Sequence, residues 1–173
     1  VDIPSFTTFL NAIKADVPAV TSLVTALMFL TGMILLFRAV YALKLYGELR
    51  TMTSSSAELK GPLVLFLVGT ILLFYPSLFS VSLSSVFGTN NILSYAPNPS
   101  DTANEKAMFH AVGIILQLVG LIAFFRGWLQ IQSLSGHAQQ GTFGKGLTHI
   151  IGGILLINIF ATWNIIKSAL GWG

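Results

Sequence analysis

Four stretches of the chain contain no Asp, Glu, Lys or Arg and approach or exceed the length needed to cross a bilayer. They are Val17–Phe37, Gly61–Phe87, Ala107–Phe125 and Gly146–Ile166. Leu, Ile, Phe, Val and Ala dominate each one. Hydrocarbon leaves no partner for the open edge of a sheet, so each is predicted to be a helix. The pattern gives an all-α membrane protein with four hydrophobic helices. Pro62 falls just inside the start of the second stretch, where a missing N–H costs nothing. Pro76 lies deeper, where it kinks the helix or marks its outer end.

Polar sequence separates the spans. "KLYGELRTMTSSSAELKGPL" (Lys44–Leu63) joins the first two, "GTNNILSYAPNPSDTANEK" (Gly88–Lys106) the second and third, and "GHAQQGTFGKG" (Gly136–Gly146) the last two. Ahead of the first span, Ile3, Phe6, Leu10 and Ile13 share a helical face with Phe9 beside it. Residues 1–16 are expected to form a short amphipathic helix on the outer interface, or one packed on the bundle. The organisation is a single domain over 1–173, with a first helical hairpin over 17–87, an outer loop over 88–106 and a second helical hairpin over 107–173. The chain begins at Val1, which fits a cleaved leader or a trimmed start.

The two hairpins read as copies of one unit. "GMILLFR" (Gly32–Arg38) is matched by "GLIAFFR" (Gly120–Arg126). Each is followed by a polar loop ending in Lys-Gly (Lys60-Gly61 and Lys145-Gly146), then by "GTILL" (Gly69–Leu73) or "GGILL" (Gly152–Leu156). Both loops lie on one side, so the repeats are parallel rather than inverted.

Charge sets the orientation. The chain is only 9% charged, with mean hydropathy +0.79, against about 25% in a soluble domain. Arg38, Lys44, Arg50, Lys60, Arg126 and Lys145 cluster at the first and third loops, while Lys14, Lys106 and Lys167 lie on the other side. The imbalance predicts cytoplasmic hairpin loops, with both termini and the outer loop facing the periplasm or exterior. The six cations are also candidates for lipid headgroups or a polar lumen, Arg38 and Arg126 above all. A guanidinium at a span's end snorkels, pairs or lines water, and its fork suits phosphate. Bound phospholipid is expected; no other cofactor is.

Chemistry is otherwise sparse. The chain has no cysteine. His110, His137 and His149 lack the spacing of a metal pair. No carboxylate lies within a span, which counts against an ion-coupled transporter, and the serines sit in no nucleophile elbow. No catalytic residue or metal site is expected. Gln117, Asn158 and Asn164 are read as interhelical hydrogen-bonding groups. Gly32, Gly69, Gly113, Gly120, Gly152 and Gly153 are read as sites of close helix approach, within the chain or between copies.

Several strings resemble the IcmC/DotE family of type IVB secretion and conjugation membrane proteins and its TraQ-like relatives. They are Lys44-Leu45 with Gly47-Glu48 and Arg50, Ser54–Ser56, "PLVLFLVGTILLFYPS" (Pro62–Ser77), "FGTNNILSY" (Phe87–Tyr95), Phe125-Arg126-Gly127 and "GKGLTHIIGGILLIN" (Gly144–Asn158). The likeness runs from Ala39 to Asn158 and carries no catalytic residue. The hairpins with short basic loops are also similar to F-type conjugative pilins. These resemblances imply a structural subunit that assembles with copies of itself and phospholipid into a conjugative pilus or channel. Its other partners would be further secretion components and transient DNA or protein cargo. The alternative is a non-polymerising inner-membrane scaffold of the same machine, and a small membrane transporter is a third reading.

Overall fold

A computed structural model describes residues 6–52, 58–88, 103–136 and 141–171. Helices α1 (Phe6–Met52), α2 (Lys60–Leu73), α3 (Tyr75–Phe87), α4 (Ala103–Gln132), α5 (Thr142–Ile157) and α6 (Ile159–Ala169) follow one another, with a 3₁₀ turn at Ser133–Ser135. The described residues contain no strand. Two helices, α1 and α4, are long and apolar enough to cross a membrane alone, which makes this a membrane-embedded protein. The other two apolar stretches are bent pairs: α2 meets α3 at 79° and α5 meets α6 at 94°.

Four sequence expectations are corrected here. First, no separate N-terminal helix exists from Phe6 onward. α1 runs unbroken through Pro18 for 47 residues, about 70 Å. Proline removes one backbone bond, and the long apolar run on its C-terminal side carries the helix across. Second, the charged stretch from Lys44 to Met52 is the last turns of α1 rather than loop. Lys44 and Glu48 pair at 3.6 Å one turn apart. Third, the helix expected over Gly61–Phe87 does bend near Pro76, but the break falls two residues earlier, at Phe74, and divides the stretch into two helices. Pro76 sits in the first turn of α3, where it has no N–H to continue α2. Fourth, the span expected over Gly146–Ile166 begins earlier, at Thr142, and breaks at Asn158. Ser54–Ser56, His137 and nearly all of the outer loop's tip lie outside the described residues.

The core lies where the hairpins meet. Met28, Leu35 and Ala39 of α1 pack with Leu65, Val68 and Leu72 of α2, and with Leu121, Phe124 and Ile131 of α4. Tyr75 and Phe79 of α3 close over Phe124, with ring centroids 5.5 and 6.3 Å away. Much of the apolar surface faces outward: Phe37 and Tyr41 are about 70% exposed. Exposure of this kind on helices of this length belongs to lipid or to other protein.

Candidate functional site

Two glycine-lined helix crossings hold the hairpins shut. In the first, α1 and α2 meet at Gly32 and Gly69. A Cβ on Gly32 would lie 2.6 Å from the Leu73 backbone nitrogen, and one on Gly69 would lie 3.0 Å from that of Leu36. In the second, α4 and α5 meet twice. A Cβ on Gly120 would come within 2.8 Å of the Gly153 carbonyl oxygen, and one on Gly127 within 2.8 Å of the Gly146 carbonyl oxygen. Only hydrogen fits at these points. The backbones therefore approach closely and gain dispersion contacts that a side chain would prevent.

Gly32, Gly69, Gly120 and Gly153 lie at these close approaches, all of them within one chain. Gly113 is buried in α4. Gly152 is a correction: a Cβ there would meet nothing within 4 Å, so it takes no part in packing. Gly127 and Gly146 were missed. Their signal was the spacing of small residues, since Gly120 and Gly127, like Gly146 and Gly153, are seven residues apart. Two turns of helix return each pair to one face.

The crossings also correct the repeat. Gly69 corresponds to Gly153, not Gly152. In this register Ala39 matches Gly127, Pro62 matches Gly146, and Arg38 matches Arg126. The helix breaks then coincide: Phe74 and Asn158 each follow the crossing glycine by five residues. Each break lies about 16 Å along the helix axis from the level of its arginine. With each arginine at headgroup level, the break would fall near the middle of a hydrocarbon layer roughly 30 Å thick.

At the second break Asn158 is fully buried, and neither its Oδ1 nor its Nδ2 has a hydrogen-bond partner. The interhelical bond expected of it is absent, and Asn164 is exposed. Instead Thr162 donates its hydroxyl to the Leu155 carbonyl at 2.8 Å, occupying an acceptor the broken helix leaves open. Gln117 borders a crevice of about 280 Å³ with Thr21, Thr25, Tyr75, Phe79 and Leu121. The crevice opens where α3 turns away from α1.

Helix direction gathers the six candidate cations toward one end of the bundle, and all are exposed. Arg38 borders an open cleft with Phe37, Tyr41 and Leu65. Lys44 holds Glu48, and Arg50 donates to the Tyr46 hydroxyl at 3.2 Å. Lys60 opens α2, and the Lys145 carbonyl lies 2.8 Å from His149 Nδ1. No group of three metal-ligating side chains occurs among the described residues. The chain matches no protein-family model, no curated protein and no solved structure.

The gathered charge leads to a labelling experiment. A cysteine replacing Glu58 is expected to react with an impermeant thiol reagent from the cytoplasmic side, and one replacing Asp16 from the opposite side. Reaction from swapped sides would overturn the orientation derived from Lys and Arg, and reaction of both from one side would show that α1 does not cross between them.

Proposed function

We propose that the chain is a structural subunit of a type IVB conjugation or secretion apparatus. It assembles with phospholipid into a pilus or channel through which DNA or protein passes. The observation that carries this reading is the parallel repeat of one glycine-locked, mid-depth-broken hairpin, whose apolar outer faces are left for neighbours and lipid. The chain builds surface, not a reaction centre. The arginine at the same position of each hairpin suits a phosphate headgroup, and other components of the apparatus would meet the charged end.

Electron microscopy of sheared cell-surface material is the test. Filaments containing this chain are expected, with phospholipid retained at a fixed ratio after washing, as read by mass spectrometry. Replacing both Arg38 and Arg126 with Leu is expected to lower that ratio. Recovery of the chain only in inner membranes would favour the scaffold reading. Lipid content unchanged in the double variant would remove the arginines' part in it.

A further inference from the structure

The chain already contains one contact between two copies of its hairpin, and the repeat register predicts where the next one goes. Along the main seam Met28, Leu35 and Ala39 of α1 and Leu72 of α2 pack on α4. Beside it Tyr75 and Phe79 of α3 stack on Phe124 of α4, which carries Trp128 edge-on, and Thr21, Thr25, Gln117 and Leu121 line the crevice next to this aromatic contact. In the register fixed by the crossings and the breaks, the α4 surface Gln117, Leu121, Phe124 and Trp128 corresponds to Phe29, Met33, Leu36 and Val40 of α1. In the first hairpin this surface has no second hairpin against it. Those same four residues, with Phe37 and Leu73, line an open apolar groove of about 420 Å³. Phe29 is 50% exposed and Val40 60%.

The complementary surface is open on the second hairpin. Tyr75 and Phe79, which clasp Phe124, correspond to Ile159 and Trp163 of α6, where the Lys167 ammonium lies 5.8 Å from the Trp163 ring. Trp163 is 51% exposed.

We infer that a second copy of this chain seats its Phe29–Met33–Leu36–Val40 groove on Ile159 and Trp163, repeating between chains the aromatic contact that Tyr75 and Phe79 make with α4 within one chain. The occupant follows from continuity with the internal interface. The groove is the open copy of a surface whose partner is known, and on the other hairpin the partner's own copy has no hairpin of this chain packed on it, with Trp163 half exposed. Such a contact is heterologous, using two different patches, so it propagates into a ring or a helical filament and does not stop at a dimer. The inference rests on the reading of the chain as a self-assembling subunit, and it specifies the surfaces.

The chain's lack of cysteine makes the test direct. Met33 corresponds to Leu121, which shares the internal crevice with Phe79, and Trp163 corresponds to Phe79. Met33→Cys/Trp163→Cys, oxidised in native membranes, is expected to give a ladder of dimers, trimers and higher species. Neither single variant should give a ladder. Ile34→Cys/Trp163→Cys, with its first thiol turned away by one residue on α1, should not either. The inference is overturned if the Met33/Trp163 pair gives no ladder. It is also overturned if Met33→Cys alone gives dimers, the mark of a two-fold contact, or if the Ile34 control ladders equally. Microscopy of the same cells separates the two readings. A ladder without filaments keeps this interface and removes the pilus, while filaments without a ladder keep the pilus and remove this interface.

Discussion

Gly153→Leu is expected to leave the chain inserted in the membrane and to open the second hairpin. Insertion follows summed hydrophobicity, which leucine raises. Closure depends on the absent side chain. The first carbon added at Gly153 would stand 2.7 Å from the Gly120 carbonyl oxygen and 2.8 Å from the Phe124 nitrogen, both backbone atoms that cannot rotate aside. Overpacking of this kind costs about 1–3 kcal/mol, roughly a 5- to 150-fold loss in the closed population. No driving force between apolar helices in lipid offsets it. Even Gly153→Ala is expected to separate α4 from α5. Gly152→Leu is the control, since a side chain there meets open space. Cross-linking between cysteines placed at Gln130 and Thr142 would read the hairpin directly. Loss in the Gly153 variants with retention in Gly152→Leu is the expected result. Equal cross-linking in all of them would show that the crossing tolerates a side chain.

The second large effect has the opposite sign. Asn158→Leu is expected to stabilise the protein in detergent by about 1–3 kcal/mol, the penalty attached to a buried polar group left without a partner. Leucine has nearly the shape of asparagine, so the change removes the unpartnered amide without emptying its site. Unfolding midpoints of the wild type and the variant measure it. A lower midpoint for Asn158→Leu would mean that the amide is held by a hydrogen bond, and that the break depends on it. Asn158→Asp should be worse than either, because it places a carboxylate where the amide already lacks a partner.

The all-helical architecture, two of the four expected spans and the pairing of hairpins were legible in the sequence because each rests on many residues at once. A charge-free run of twenty apolar side chains has few alternatives. The breaks were harder to see. Pro76 announced one, although two residues late, because proline acts on the turn preceding it. Asn158 announced nothing, since an isolated amide in an apolar run is as common in a continuous helix. The junction of the N-terminal segment with the first span was misread because Asp16 and Pro18 look like a boundary. Both lie inside α1, which continues through them. For the crossing glycines the type was legible and the register was not. "GGILL" offers two adjacent glycines, and only the spacing back to Gly146 selects Gly153 over Gly152.

The bends also set how far each hairpin reaches. α3 and α6 leave the directions of α2 and α5 by 79° and 94°. A helix turned that far runs athwart its neighbour, so its residues add little to the depth the hairpin covers. The four apolar stretches therefore divide into two, α1 and α4, that alone carry the length of a crossing, and two whose far halves lie across that direction.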